Sequence, residues 1–157
     1  MKKKKIFKIY LITAILDQII KCIIAFNMKV GDTITVIPKF FKINYLQNTG
    51  AAFSSFQGMR YILIIISLII FFVIINYIKK NDIKNKIEGI SLGLIMGGLI
   101  GNLIDRIIYG FVIDYLSFTI FGYSFAVFNL ADSFIVIGVF LLLFDIFKED
   151  ILKKYNK

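Results

Sequence analysis

Four apolar stretches restrict what this chain can fold into. They run from about 6 to 26, 61 to 78, 87 to 108 and 127 to 147 of the 157 residues. Each has roughly the ~20 residues that a helix needs to cross a ~30 Å hydrocarbon core. In hydrocarbon the backbone must satisfy its own N–H and C=O groups, so apolar runs of this length become helices. Hydrophobic residues make up 59% of the chain, against about 45–50% in a soluble domain. The expected fold is an all-α polytopic membrane protein with four transmembrane helices, built as a single membrane-embedded domain over residues 1–157.

The net charge of +9 raises the question of nucleic acid, and its distribution answers against it. Thirteen of the nineteen basic residues are lysines at 2–5, 8, 79, 80, 84, 86, 148, 153, 154 and 157. All lie in short segments beside apolar runs, which is the pattern of cytoplasmic anchors rather than of a nucleic-acid surface. Both termini and the 79–86 loop are expected in the cytoplasm, with 27–60 and 109–126 outside. Lys2–Lys5 followed by apolar residues could start a cleaved signal peptide. Asp17 and Lys21 interrupt that run, no small-x-small site follows, and Lys21 is a poor residue before a lipoprotein Cys22. A retained first helix is expected. Thr33–Ile37 and Phe41–Leu46 are strand-like, with Pro38 between them. They predict a small extracytoplasmic β element between helices 1 and 2, either an ordinary structured loop or an edge that pairs with an extended peptide.

Polar residues near hydrocarbon carry the functional signal. A carboxylate at the bilayer centre costs about 2.5–3.5 kcal/mol on insertion scales, so such residues mark function or tight pairing. Asp114 follows the third apolar run and Asp132 heads the fourth. At 1.5 Å per residue, Asp17 and Lys21 lie ~16 and ~22 Å up helix 1, and Asp105 lies ~24 Å above Gly89 on helix 3. These polar residues gather in the outer half, and the inner half reads as almost bare. Asp17 and Lys21 share a helix face and can pair, as can Asn129 and Asp132. Arg106 can pair with Asp105 or another carboxylate. Asp145, near Lys148, reads as a solvated interfacial charge. Gly89, Gly93, Gly97 and Gly101 recur every four residues, with Gly98 beside them, which suits close helix packing. Asn48-Thr49-Gly50-Ala51-Ala52-Phe53-Ser54 suits a turn or close approach to a ligand.

Two neighbouring carboxylates can share a proton and supply one acid and one base to a water. The chain has no histidine, and Cys22 is its sole cysteine. That excludes Ser-His-Asp and Cys-His triads and the usual zinc sites, and no metal or other cofactor is expected.

Together the segments Asp17-Gln18 with Lys21, Asn48–Ser54, Gly101-Asn102-Leu103-Ile104-Asp105-Arg106, Gly110-Phe111-Val112-Ile113-Asp114 and Phe128-Asn129-Leu130-Ala131-Asp132-Ser133 resemble the lipoprotein signal peptidase (signal peptidase II) family, in the family's order. Tyr115 stands where many members carry Phe. The resemblance implies a bacterial intramembrane aspartyl endopeptidase that cuts diacylglyceryl-modified prolipoproteins just before the lipidated cysteine. It makes Asp114 and Asp132 the catalytic pair. Asp17, Lys21, Asn48, Gly50, Asn102, Asp105, Arg106 and Asn129 would support them or bind substrate. It implies a monomer among membrane lipids in the cytoplasmic (inner) membrane, multi-pass, with the active site near the outer face.

Three rivals stand beside that reading. A serine–lysine peptidase would use Ser54 or Ser133 with Lys21 as base. A small transporter or ion pathway would use Asp17, Asp105 and Arg106, but needs polar residues in both membrane halves. A scaffold using the glycine stripe leaves Asp114 and Asp132 unexplained.

Overall fold

The computed structural model describes residues 1–50 and 57–155, apart from the side chains of 150 and 152–155. Ala51, Ala52, Phe53 and Ser54 of the expected ligand-approach segment therefore lie outside the described residues. So do the side chains of Lys153 and Lys154, and all of Lys157. The elements are α1 (Lys3–Asn27), β1 (Thr33–Ile37), β2 (Phe41–Asn48), α2 (Arg60–Lys80), α3 (Lys86–Ile108), β3 (Val112–Ile120), β4 (Tyr123–Ser124) and α4 (Leu130–Tyr155). All four helices contain a stretch long and apolar enough to cross a membrane. The fold is mostly helical, with one small antiparallel sheet of order β1-β2-β3-β4.

Two expectations need correction here. The β element is not confined to the connection between helices 1 and 2, because β3 and β4 come from the connection between α3 and α4. Val112–Ile120 is rich in β-branched and aromatic residues, which suit a pleated half-buried surface. It pairs with β2 in the register Phe41↔Phe118, Leu46↔Asp114 and Asn48↔Val112. The fourth helix also starts at Leu130 rather than near 127, since Phe128 is still bonded to β3.

Helix α3 is the core of the bundle. In its apolar window 67% of residues are buried, against none in that of α2, so α3 is packed on several sides while α2 faces outward. Helices α1 and α4 pack along α3, and α2 leans chiefly on it too. The glycine stripe makes this possible. Gly93, Gly97 and Gly101 meet Ile9, Thr13 and Asp17 of α1, and Gly98 meets Ala131 and Ile135 of α4. Helix α3 ends at Tyr109, whose amide donates to the Asp105 carbonyl (2.8 Å). Gly110 follows with φ +86°, the left-handed step that glycine makes without strain at a helix end.

The Lys86 end of α3, expected on the inner side, is not bare, which corrects a second set of expectations. Glu88 and Asp145 are both buried there. Glu88 accepts from Tyr77 Oη (2.6 Å) and from the Lys84 amide (2.7 Å). Asp145 is no solvated charge: both its oxygens accept from Asn85 Nδ2 (2.9 and 2.8 Å). Asn85 in turn caps α3 by accepting from the Glu88 amide (3.0 Å). These groups satisfy the start of a helix, the place where backbone donors lack partners. Among the described residues, buried apolar Leu92, Ile95, Met96 and Leu99 separate them from the polar cluster at the other end of α3, so the two do not join into a continuous polar path.

The close approach at Gly101 can be tested. A Cβ there would lie 2.5 Å from Asp17 Oδ2 and 3.2 Å from Ala131 Cβ. Overpacking of this kind costs about 1–3 kcal/mol, which exceeds the ~1 kcal/mol that alanine gains over glycine in a helix. Gly101→Ala is expected to lower the thermal unfolding midpoint in detergent. A rise, as propensity alone predicts, would mean that α1, α3 and α4 do not converge there.

Candidate active site

The site forms where three connections meet at one end of the bundle. Asp114 is the third residue of β3, opposite Leu46 of β2. Past β4 the chain folds back on β3: the Phe128 carbonyl accepts from the Tyr115 and Leu116 amides (3.0 and 2.7 Å), and the Phe128 amide donates to the Leu116 carbonyl (3.1 Å). This return delivers Asn129 and the first turn of α4 to the Asp114 side chain.

Asn129 and Asp132 then form a reciprocal cap. Asn129 Oδ1 accepts from the Asp132 amide (3.0 Å), and Asp132 Oδ2 accepts from the Asn129 amide (3.2 Å). Both satisfy donors that a helix start leaves without intrahelical partners. The same Asn129 holds the other aspartate, donating through Nδ2 to Asp114 Oδ1 (2.7 Å). Asn48 Nδ2 donates to Asp114 Oδ2 (2.9 Å), while Asn48 Oδ1 accepts from the Gly50 amide (2.9 Å). Asn102 Nδ2 donates to Asp132 Oδ1 (2.7 Å), and its Oδ1 accepts from Asn129 Nδ2 (3.1 Å). Three asparagines thus tie two carboxylates from different elements into one constellation.

Behind it lies a buried ionic group. Lys21 Nζ sits 2.8 Å from Asp17 Oδ2 and 3.0 Å from Asp105 Oδ2, and donates to Asn102 Oδ1 at 2.9 Å. All three of its hydrogens are engaged, which leaves no free amine to serve a serine. Ser133 Oγ donates to the Asn129 carbonyl (3.0 Å) instead, and Ser54 lies outside the described residues. The expected pairing of Asp17 with Lys21 is present. The expected pairing of Arg106 with Asp105 is not: adjacent helical residues point ~100° apart, and Asp105 turns to Lys21. Among the described residues Arg106 forms no ion pair. Its guanidinium donates to the Gly50 carbonyl (3.0 Å) and, at 3.4 Å, to that of Asn102.

All ten residues singled out in the sequence therefore join one network. Sequence reasoning missed the rest. Gln18 Nε2 donates to Asp105 Oδ1 (2.9 Å) and to the Gly101 carbonyl (3.0 Å); its place beside Asp17 was the available signal. The Tyr115 hydroxyl accepts from the Leu130 amide (3.3 Å), and burial pushes that phenol up from its ordinary range. Backbone amides of Ile113 and Ala131 also enter, donating to Asp105 Oδ2 (3.1 Å) and Asp17 Oδ1 (2.9 Å). No side-chain pattern signals them.

Asp114 is 3% exposed. Burial, then the nearby Asp132 carboxylate, push it from 3.8 up to about 6, against the opposing hydrogen bonds from Asn48 and Asn129. Asp114 therefore keeps its proton above the ordinary carboxylate range, as a buried acid beside a second carboxylate does. Among the described residues no group of three or more His, Cys, Asp or Glu could hold a metal ion.

The family described as signal peptidase (SPase) II matches residues 9–148, a span that contains every residue of this network. The chain belongs to the signal peptidase II family. It is 38% identical over 140 residues to the lipoprotein signal peptidases of Staphylococcus aureus strains JH9 and Newman, covering 89% of this chain and 86% of theirs. Two solved bacterial membrane enzymes, determined by the in meso method at 2.3 and 1.9 Å, are each 36% identical to it. The first has a TM-score of 0.88 over 94% of this chain and 90% of its own; the second has 0.83 over 91% and 92%. Signal peptidase II is a membrane-spanning protease, and a coupled carboxylate pair is the chemistry an aspartyl type requires.

The raised Asp114 sets a stability test with a definite sign. Its folded pKa, about 6, exceeds the ordinary 3.8, so the folded chain binds this proton more tightly than the unfolded one. That contribution is complete below about pH 4 and is lost as pH rises through about 6. The loss is on the order of 3 kcal/mol at one pKa unit per 1.36 kcal/mol. The melting midpoint in detergent is expected to fall between about pH 4 and pH 6, and less so in Asp114→Asn. Equal slopes in the two proteins would assign the dependence to other groups.

Proposed function

We propose that this chain, as a single membrane-embedded domain, removes the signal peptide from diacylglyceryl-modified prolipoproteins, with Asp114 and Asp132 as its catalytic dyad. The observation that carries this reading is the joining of two carboxylates, one on a strand and one on a helix terminus, through a single asparagine, Asn129. Asp132 lies at the positive end of the α4 dipole and acts as the ionised base. Asp114, in the more buried position, carries the proton.

In the proposed cycle Asp132 takes a proton from water as the oxygen adds to the carbonyl carbon before the lipidated cysteine. Asp114 donates its proton to the carbonyl oxygen. In the collapse the C–N bond breaks, Asp132 passes its proton to the leaving amine, and the diol returns a proton to Asp114. Each carboxyl ends in its starting state. No metal or cofactor enters these steps. Arg106, fixed on the Gly50 carbonyl and electrostatically close to both aspartates, helps to hold the site near its natural charge.

The diacylglyceryl group anchors the substrate at the height of the dyad, since each buried CH₂ contributes about 0.8 kcal/mol. The working protein is a monomer in the cytoplasmic membrane of a bacterium. Both termini and the 79–86 loop face the cytoplasm, which the lysine clusters support, and the dyad then lies near the outer face.

The test is cleavage of a purified prolipoprotein, with and without its diacylglyceryl group, in one membrane mimic. Asp114→Asn and Asp132→Asn are each expected to lose at least 10²–10⁴ in rate while remaining folded, and the unlipidated precursor is expected to be cut far more slowly. Wild-type rates in either variant would end the dyad assignment; equal rates on both precursors would leave recognition to peptide sequence alone. Orientation is checked separately by reporter fusions, where a fusion at residue 45 should report the outer side and one at residue 82 the cytoplasm.

A further inference from the structure

The two carboxylates that flank Lys21 do more than neutralise it. Each reaches one backbone amide, and each amide belongs to the residue just before a dyad aspartate. Asp17 Oδ1 accepts from the Ala131 amide at 2.9 Å, next to Asp132. Asp105 Oδ2 accepts from the Ile113 amide at 3.1 Å, next to Asp114. Lys21 Nζ joins the inner ends of both arms, at 2.8 and 3.0 Å, and its third hydrogen goes to Asn102, which holds Asp132 directly. The chain of contacts runs from Ile113 through Asp105, Lys21 and Asp17 to Ala131. Asp17, Lys21 and Asp105 are at most 1% exposed, so water does not loosen it. Gln18 closes the remaining oxygen of Asp105.

We propose that the Asp17–Lys21–Asp105 triad is a spacer that sets the separation of Asp114 and Asp132, with Lys21 as the positioning residue at its centre. The proposal rests on the dyad reading above and deepens it. The triad touches neither aspartate side chain; beyond the Coulomb pull of Lys21 on Asp114, it reaches the pair through the two amides and through Asn102. A strand and a helix terminus have no covalent reason to keep a fixed distance; a row of buried, charged hydrogen bonds supplies one. Such bonds are roughly twice as strong as neutral ones.

A spacer is distinguished from a charge by its length. Asp105→Glu keeps the charge and the pairing group but adds one methylene. It is expected to lower kcat about 10²-fold, the effect of an ångström-scale misplacement, with KM for the diacylglyceryl prolipoprotein within about threefold. Asp132, Lys21, Arg106 and Tyr115 are the charged or titratable groups that act on Asp114, and all remain. A wider dyad weakens the push of Asp132, so the upper limb of the pH–activity profile should move to lower pH. An unchanged kcat and profile would overturn the proposal, and so would a raised KM at constant kcat, which would make the triad a substrate contact.

A second variant covers the case in which the longer arm does not fold. Asp17→Asn, Lys21→Met and Asp105→Asn together remove all three buried charges, a change that folds often tolerate. This folded, uncharged triple variant is expected to lose kcat at least as severely, and wild-type kcat in it would overturn the proposal. Asp114→Asn, assayed on the same substrate preparation, separates the two ideas: if it still cleaves, the dyad reading fails whatever the triad variants do.

Discussion

An ammonium group buried beside the hydrocarbon of a membrane sets the terms for the rest of this molecule. Lys21 has no water to solvate it, and an unpaired charge there would be costly. It is tolerated because two carboxylates and an asparagine oxygen take its three hydrogens. Two carboxylates against one ammonium leave a formal excess of one negative charge, and neutral donors absorb it: the amides of Ala131 and Ile113 and the Gln18 side chain. Removing one partner from such a group is far more damaging than never having built it. The residues around it are therefore bound into one arrangement, and that arrangement includes the backbone on either side of the site.

The glycine stripe on α3 follows from the same constraint. Asp17 reaches the Ala131 amide only by passing over α3, and Gly101 is where it passes. One turn earlier, Gly98 lets the backbone of α4 close on α3 at Ala131, which is fully buried. In a membrane, small residues give helices contact without help from the hydrophobic effect. Here they also bring three helices near enough for side chains as short as aspartate to bridge them. Packing and polar chemistry are two readings of one set of positions.

The sequence made part of this visible, for physical reasons. Helix existence follows from length and apolarity, and the glycine period announces a contact face. Asp17 and Lys21 are four apart on one helix, so their pairing needed only local geometry. Asp105 with Arg106 failed because adjacency in sequence is not adjacency on a helix. Asp145 failed because its partner, Asn85, is sixty residues away; the Asn85-x-x-Glu88 pattern marks a helix start but says nothing of a reach to α4. Strand β3 was open to reading from its own composition, but its pairing with β2 depends on a register set between segments more than sixty residues apart. The amides of Ile113 and Ala131 carry no side-chain signal at all. Apolar surroundings and the resemblance both put Asp114 and Asp132 forward as a pair; the geometry shows how the two are held together.

The choice of elements that carry the dyad has its own logic. A peptide bond within a helix is shielded by its turn and has its carbonyl already bonded, so a transmembrane substrate must be extended where it is cut. Asp114 lies on β3, opposite Leu46 of β2, in backbone that is already extended as the substrate must be. Asp132 lies in the first turn of a helix, where the backbone amides are already directed at an anion. Neither aspartate occupies the middle of a membrane helix, where water would have to travel furthest to reach it. The apolar turns of α3 below the site, from Leu92 to Leu103, carry no buried carboxylate. The buried ionic triad thus lies between this apolar stretch and the two aspartates. Its hydrogen bonds reach the backbone beside each aspartate, so a charge buried at one end of the bundle is tied into the framework that carries the site.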